Sequence, residues 1–348
     1  MMTLRQFTAK PPAVPMSTTW YLTDLGEAKG KQELFTRQSP QRLKALREHA
    51  MIESAISSNR IEGVEIDASR VRAVVLGTLT LRDRNEEEIR GYRDALKLIH
   101  ESGQRLAVSE KTIRQLHRLS RGQIWDAGQY KNKNVDIIET SPEGRSRIRF
   151  KSVAATRTPA AMAELIAHWH DAVEEQRLHP LLALAAFNLD FLCIHPFRDG
   201  NGRVSRLLLL LQCYHLGFEV GRYISLERLI EQNKPRYYET LEQSSRGWHE
   251  GKRDPWPYTN YLLYILKTAY KEFEDRAGQT KAPRGEKSAI VARAVQRATG
   301  NFSIADLQRE CPGVSVDMIR YVLKGLKRRG EVKCLGRGRS ALWRRARP

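Results

Sequence analysis

Cysteines and long apolar runs are scarce in this sequence. Its 348 residues include four cysteines, which lie far apart and form no C-x-x-C pair. Such spacing indicates neither a disulfide framework nor a zinc site, so we expect reduced thiols. No apolar run approaches the roughly 18 residues that a bilayer-crossing helix needs, and residues 1–15 lack the apolar core of a secretory signal. A cytoplasmic protein that does not enter a membrane is therefore predicted.

The composition is otherwise that of a globular protein with an uneven charge. Apolar residues make up 41% and charged residues 28% of the chain, and the length predicts two or three domains. The net charge is +19, and residues 281–348 alone hold 17 Lys/Arg against 5 Asp/Glu. A basic terminal segment attracts polyanions such as DNA, and the alternative is that the charge serves only solubility.

Helical periodicity dominates the first 280 residues. Residues 1–35 are the exception, because prolines at 11, 12 and 15 oppose regular structure, and we expect a weakly ordered lead. A first strong helix is predicted from Ser39-Pro40, an N-cap and first-turn pair, to about Glu62-Gly63. Further elements are predicted by periodicity, namely helices within 67–121, from 158, at 180–194, from about 203 to 217, and at 227–246 and 258–276, with a β-hairpin within 128–153.

The last 60 residues have a pattern of their own, set off by a predicted linker at 281–285. Helices are predicted at 287–299, at 304–310 after a Ser303 cap, and at 315–329 after a Pro312-Gly313 turn, followed by a two-stranded hairpin. This order is typical of a winged helix-turn-helix, which contacts DNA through its third helix and wing, although such modules also dock acidic proteins. The basic side chains of the third helix and hairpin are Arg320, Lys324, Lys327, Arg328, Arg329, Lys333, Arg337, Arg339, Arg344 and Arg345.

The most informative segment, HPFRDGNGRVSR at 195–206, joins two buried helices. Gly200 and Gly202 flank Asn201 and permit positive φ angles, so successive backbone N–H groups can turn toward one point. The following helix, expected to begin near Arg203, adds the free N–H groups and positive end of its dipole. The loop is therefore predicted to bind phosphate.

The side chains of the same segment fit this chemistry. Arg203 and Arg206 lie three residues apart on the first helical turns and could hold further phosphate oxygens. Asp199 is suited to holding Mg²⁺ beside a polyphosphate, and His195 to acting as a general base. Together these features predict nucleotidyl or phosphoryl transfer to a hydroxyl group.

Residues 195–206 resemble the signature of the Fic family, His-Pro-Phe-x-Asp-Gly-Asn-Gly-Arg-x-x-Arg, at all nine specified positions. The resemblance implies transfer of AMP from ATP to a Ser, Thr or Tyr hydroxyl of a protein. It assigns proton removal to His195 and Mg²⁺ binding to Asp199. The nucleotide-binding residues that it implies are Gly200, Asn201 and Gly202 at the α-phosphate, Arg203 and Arg206 at the β- and γ-phosphates, and Tyr237 at the nucleotide. Near Tyr237 the chain departs from the family, because Ser245 stands where some relatives carry Asn.

A second motif, Ser58-x-x-x-Glu62-Gly63, resembles the inhibitory motif of one Fic subgroup. In that subgroup the Glu pairs with the second Arg of the signature, which is Arg206 here, and so occupies the position that the γ-phosphate of ATP needs. Some relatives use the same Glu to remove AMP from the target, and this second activity is left open.

The sequence thus predicts a mainly α protein in three parts. These are a segment with an inhibitory helix (1–80), a Fic domain with a β-hairpin flap that docks the target (81–280), and a winged helix-turn-helix domain (284–348). We expect an autoinhibited protein adenylyltransferase that uses ATP and Mg²⁺, with self-modification, homo-oligomers, and DNA or an acidic partner left open. The alternatives are a Fic-fold transferase with another donor or kinase-type chemistry, and a nucleotide-sensing DNA-binding regulator, which an intact His195 disfavours.

Overall fold

The computed structural model divides the chain into two compact units, Met1–Ala277 and Gly278–Pro348. It describes residues 2–36, 40–140, 146–175, 178–278, 286–298, 300–311, 314–336 and 341–346. Several predicted features lie outside the described residues: Ser39, the hairpin loop at 141–145, the linker at 281–285, the Pro312-Gly313 turn, and Arg337 and Arg339 in the wing. Within the described ranges, no helix is long and apolar enough to cross a membrane.

The first unit is helical apart from one antiparallel hairpin, so the expected mainly α fold is confirmed. Its helices are α1 (Thr3–Ala9), α2 (Met16–Thr36), α3 (Pro40–Ile61), α4 (Val71–Leu76), α5 (Arg84–Ser102), α6 (Glu110–Arg121), α7 (Thr158–Glu174), α8 (Pro180–Ile194), α9 (Asn201–His215), α10 (Leu226–Gln232), α11 (Lys234–Ser245) and α12 (Trp256–Gly278). Strands β1 (Asp136–Thr140) and β2 (Ser146–Lys151) form the hairpin, which we call the flap. Residues 1–80, predicted as a segment of their own, belong to the same compact unit as residues 81–277.

The core centres on α8 and α9. All residues of α8 from Leu181 to Ile194 are buried, and α9 is buried from Arg203 to Tyr214. Helices α1, α7 and α11 pack on α8, whereas α5 and α6 pack on α9. The loop at 195–200 is therefore held at both ends by the most buried helices of the unit.

The prediction of a weakly ordered lead over residues 1–35 is wrong, because this segment forms α1 and α2. The prolines act only locally: Pro11 and Pro12 lie between the helices, and Pro15 directly precedes α2. The fully buried Asp190 of α8 accepts hydrogen bonds from the backbone N–H groups of Thr3 and Leu4, each at 2.8 Å. A carboxylate from another helix thus caps α1.

The helix predicted over 227–246 is two helices, α10 and α11. Asn233 ends α10 with a non-helical backbone, and Pro235 lies in the first turn of α11, where a missing N–H costs little. The break directs α11 toward α8 and β2, which both contact it.

The second unit contains the three helices and the hairpin expected there. The elements are α13 (Glu286–Arg297), β3 (Asn301–Phe302), α14 (Ile304–Glu310), α15 (Val316–Arg328), β4 (Val332–Cys334) and β5 (Trp343–Arg345). The short β3, which the sequence did not predict, makes the sheet three-stranded in the order β3-β5-β4. Ser303 caps α14 reciprocally with Asp306, as its position predicted. Residues such as Phe302, Ile319 and Leu323 give this unit a core of its own.

Candidate active site

The loop between α8 and α9 turns sharply at two positions with positive φ. His195 directly follows α8 with φ 51° and ψ 62°, and Gly200 precedes α9 with φ 81°. Gly202 does not adopt the positive φ that its residue type permits. Helix α9 begins at Asn201 rather than near Arg203, so Gly202 lies in the first helical turn. The first N–H groups of α9 nevertheless lack partners within the helix, as at any helix start.

A cavity of about 430 Å³ joins the loop to the flap and α11. This is the size range of small-ligand sites. His195 is half-buried at its wall. The lining residues are Glu62, Ile137, Ile138, Arg149, Phe150, Leu192, Cys193, His195, Gly202, Tyr237, Tyr238, Leu241 and Ser245. The structure therefore brings predicted site residues from three distant parts of the chain to one cavity.

The imidazole of His195 is neutral at physiological pH. Burial and the nearby charge of Lys131 lower its pKa to about 4, against opposing effects of Glu62 and Asp199. Its Nδ1 lies 3.3 Å from the carbonyl oxygen of Leu192. A neutral imidazole has a free nitrogen lone pair, so it can accept a proton from a group in the cavity.

Glu62 and Ser58 hold the guanidinium of Arg206. The Nη2 atom of Arg206 donates to Glu62 Oε1 at 2.7 Å and to the Ser58 carbonyl oxygen at 3.0 Å, while Nε donates to Ser58 Oγ at 2.9 Å. The Arg206 side chain is 2% exposed and that of Glu62 26%. Burial alone would lower the pKa of Arg206, but Glu62 reverses this, and the net shift is upward. The ion pair thus spans the end of α3 and the second turn of α9.

The carboxylate of Glu62 also touches the start of α9. A Cβ atom at Gly202 would lie 2.3 Å from Glu62 Oε1, so a larger residue than glycine would collide with this carboxylate. Glu62 therefore occupies an anion position at the helix N-terminus. Arg206 Nη1 is buried with no hydrogen-bond partner among the described residues, and it lies 3.2 Å from that same Cβ position.

Arg203 lies in a buried ion-pair cluster rather than at the cavity wall. Its Nη1 donates to Glu88 Oε2 at 2.5 Å and to Asn59 Oδ1 at 3.1 Å, and its Nε is buried and has no partner within the described ranges. Glu88 Oε1 pairs with Arg121 at 2.7 Å, and Arg121 Nη2 lies 3.0 Å from Asp199 Oδ2. Sequence reasoning missed Glu88 and Arg121, since each looks like an ordinary helix charge until its partners are known.

Asn201 is committed to the loop itself. Its side chain accepts from the N–H of Phe197 at 2.9 Å and donates to the carbonyl oxygen of Phe197 at 2.8 Å. Both polar atoms of this amide thus help to close the loop, and the expected contact of Asn201 with an α-phosphate stays a prediction. His117, another residue that the sequence did not single out, stacks on Phe197 at 3.8 Å between ring centroids and contacts the Asp199 carbonyl oxygen at 3.0 Å.

Tyr237 and Ser245 line the cavity on its α11 side. The contact of Tyr237 with the nucleotide stays a prediction. Tyr237 is 3% exposed and its ring packs against Tyr238, Tyr258 and Tyr261. The aromatic side chains of Tyr237 and Tyr238 at the cavity suit contact with a nucleotide base, and Ser245 adds a small polar side chain.

Asp199 is the carboxylate available for Mg²⁺. Its side chain is 60% exposed, and Oδ2 pairs with Arg121. Among the residues that the structure describes, no group of three or more His, Cys, Asp or Glu side chains could hold a metal ion alone. One exposed carboxylate fits an ion that is bound jointly with nucleotide phosphates, which is the usual Mg²⁺ arrangement in such sites.

Part of the chain matches a known protein family. Residues 107–213, which include α6, the flap, α8 and most of α9, match the sequence profile described as the Fic/DOC family. The chain therefore carries a Fic domain.

Relatives of the same kind are found among curated proteins. The protein adenylyltransferase Fic of Drosophila grimshawi is 25% identical over 211 residues, covering 59% of this chain and 40% of that protein. The protein of the same name from Nematostella vectensis is 26% identical over 199 residues, covering 55% and 42%. The chain thus spans about two fifths of the length of these relatives.

The fold is also found among solved structures. A Fic family protein from Desulfovibrio desulfuricans G20 aligns with a TM-score of 0.62 and 23% identity, covering 97% of this chain and 98% of that chain. Fic-1 from C. elegans aligns with a TM-score of 0.60 and 18% identity, covering 80% and 82%. At these identities the likeness concerns the fold alone.

Proposed function

We propose that this protein is an autoinhibited adenylyltransferase, which transfers AMP from ATP to a Ser, Thr or Tyr hydroxyl of a protein. The observation that carries the proposal is the position of Glu62. Its carboxylate lies against Gly202, at the anion-binding start of α9, and pairs with Arg206 in the cavity that His195 lines.

The site offers a phosphate the donors that it needs once Glu62 leaves. The first N–H groups of α9 and the positive end of its dipole attract an anion. Arg206 adds a guanidinium whose buried Nη1 has no partner in the part of the chain that the structure describes, which is costly unless a ligand supplies one. Arg203 does not contact the phosphate in this proposal. It bonds Glu88 and Asn59 and so stabilises the start of α9.

The proposed reaction is a substitution at the α-phosphorus of ATP. Neutral His195 takes the proton of the acceptor hydroxyl, whose oxygen attacks the α-phosphorus while the bond to the bridging oxygen breaks and pyrophosphate leaves. The backbone N–H groups at the start of α9 stabilise the negative charge that develops on the α-phosphoryl oxygens. Asp199 would hold Mg²⁺ together with the phosphates, and the bound ion would neutralise charge on the pyrophosphate.

The flap supports a protein acceptor. Ile137 and Ile138 of β1 line the same cavity as His195. Ile138 and Ile148 are 61% and 54% exposed, which leaves apolar side chains on the hairpin for an acceptor segment to cover. A protein substrate that lies along the flap would bring a side-chain hydroxyl toward the imidazole.

Labelled ATP tests the transferred group. Wild type, Glu62→Gly and the control Glu65→Gly, whose exposed carboxylate lies three residues further on, are incubated with α-labelled and γ-labelled ATP in parallel. A charge-assisted hydrogen bond contributes about 1.5–3 kcal/mol, so we expect Glu62→Gly to raise α-label on protein roughly ten- to hundredfold. Glu65→Gly should behave as wild type. Transfer of γ-label instead would show kinase chemistry and contradict the proposal.

For the second unit we propose a winged-helix module that binds DNA. Helix α15 exposes a basic surface with one large aromatic side chain, Tyr321, which is 71% exposed. The exposed basic residues described in α15 and in the segment that follows it are Arg320, Lys324, Lys327, Arg328, Arg329, Lys333, Arg344 and Arg345. Fluorescence anisotropy of the full chain with a DNA duplex should give binding that weakens steeply as salt rises. Binding that is unchanged by Lys324→Glu would exclude this surface.

A further inference from the structure

A lysine outside the signature, Lys131, contacts the backbone on both sides of His195. Its Nζ donates to the carbonyl oxygen of Ile194 at 3.1 Å, and its backbone N–H donates to the carbonyl oxygen of Pro196 at 2.9 Å. Lys131 is only 5% exposed, so both contacts are shielded from water. One residue therefore fixes both residues next to the histidine.

The same ammonium group contacts the base of the flap. Its Nζ donates to Ser152 Oγ at 2.7 Å, and Ser152 Oγ donates to the carbonyl oxygen of Val135. Val135 directly precedes β1 and Ser152 directly follows β2, so this hydroxyl joins the two ends of the hairpin. Lys131 thus links the base of the flap to the segment that carries His195.

The backbone of His195 needs such support. Among the described residues it alone is a non-glycine residue with a positive φ, in the sparsely populated left-handed region. Residues with a Cβ atom remain there only when the surrounding structure holds them. The ring itself has a long contact, 3.3 Å from Nδ1 to the Leu192 carbonyl oxygen, so the ring adds little restraint.

We infer that Lys131 is a positioning residue, which holds His195 in its left-handed conformation and ties the base to the flap on which the acceptor lies. The inference rests on the proposed function. Lys131 does not line the cavity itself, so it acts on the alignment of base and acceptor and not on nucleotide binding.

The charge of Lys131 affects the pKa of His195, which a merely structural residue would leave unchanged. This pKa therefore serves as the readout. Lys131 lowers the pKa of His195, whereas Glu62, Asp199 and the carbonyl oxygen of Leu192 raise it. The other charged or titratable side chains at the cavity are Arg149, Cys193, Tyr237 and Tyr238. Replacing Lys131 with methionine keeps a long side chain and removes the charge, so the pKa of His195 should rise.

The experiment compares Lys131→Met, Lys131→Arg and Lys133→Met in the full-length Glu62→Gly protein. Lys133 is an exposed neighbour and provides the matched loss of charge. For Lys131→Met we expect kcat to fall about ten- to hundredfold, since small misplacement of a reacting group has this effect. Equilibrium affinity for ATP should change by less than about twofold, and the NMR titration of the His195 ring should shift upward. Lys131→Arg should restore most of kcat, and Lys133→Met should change nothing.

A further variant separates the two contacts of the ammonium group. Ser152→Ala removes the link to the flap and keeps the contact with Ile194, so it should raise the KM for the acceptor more than it lowers kcat. An unchanged kcat in Lys131→Met, an equal loss of ATP affinity, or an unmoved titration of His195 would each overturn the inference. If Glu62→Gly itself transfers no label, the proposed function fails, and the titration alone then decides the role of Lys131.

Discussion

Replacing Glu88 with alanine should strongly destabilise the first unit. Glu88 is 3% exposed, and its two carboxylate oxygens pair with Arg203 at 2.5 Å, Arg121 at 2.7 Å and Arg84 at 3.0 Å. Arg203 and Arg121 are themselves buried, so the substitution leaves Arg203 without a carboxylate partner and Arg121 with Asp199 alone.

The magnitude follows from the burial of this cluster. Removing one partner of a buried ion pair costs about 3–5 kcal/mol, because the remaining charge is left desolvated and uncompensated. For domains of about 150–250 residues, each kcal/mol lowers the melting temperature by about 2–4 °C, so a fall of roughly 10 °C is expected.

The assay is thermal unfolding of the full chain, followed by tryptophan fluorescence. Glu88→Gln keeps the shape and some hydrogen bonds, so it should lie between wild type and Glu88→Ala. The matched control is Glu87→Ala, an exposed neighbour on α5, whose stability should change by no more than about 0.5 kcal/mol. If Glu88→Ala unfolds at the same temperature as Glu87→Ala, the buried cluster does not stabilise the unit and this reasoning is refuted.

Three more predictions concern the site and the core. Since burial and Lys131 lower the pKa of His195 to about 4, kcat/KM of the Glu62→Gly protein should stay flat from about pH 7, where Lys131 is still charged, to about 5.5, and fall only nearer pH 4; an acid limb near pH 6.5 would contradict this. Ser58→Ala removes the hydrogen bond between Ser58 Oγ and Arg206, so it should raise α-label transfer roughly two- to tenfold. A larger rise than in Glu62→Gly would contradict this prediction. Asp190→Ala removes the carboxylate that accepts from Trp248 Nε1 and from two amides of α1, so hydrogen exchange should show loss of protection confined first to α1.

The loop chemistry could be predicted from the sequence because its causes lie within twelve contiguous residues. Gly200 adopts the left-handed backbone that its type permits, and the helix start follows directly. Gly202 is required for another reason than the predicted one, which was a turn of the backbone. Its missing side chain leaves room for the carboxylate of Glu62, which is far away in the chain. The pairing of Glu62 with Arg206 was accessible only because two motifs together resembled one family.

The supporting residues could not be predicted, because their partners are distant in the sequence. Arg203 and Glu88 are separated by 115 positions, and Lys131 meets Ile194 across 63. On an amphipathic helix or in a loop, such charges look like solvated ones until packing places them in the interior. The order of α1 has the same explanation, since its cap, Asp190, is supplied from 187 residues away.

The proposed function depends most on two features: Glu62 blocks a phosphate position, and the neighbouring His195 acts as the base. The direct measurement is the rate of α-label incorporation into protein by Glu62→Gly and by the double variant Glu62→Gly/His195→Ala, at equal ATP occupancy. We expect rapid incorporation in the first and a loss of at least about a hundredfold in the second, the range for removing a general base. Equal rates in the two proteins, or no incorporation in either, would contradict the account.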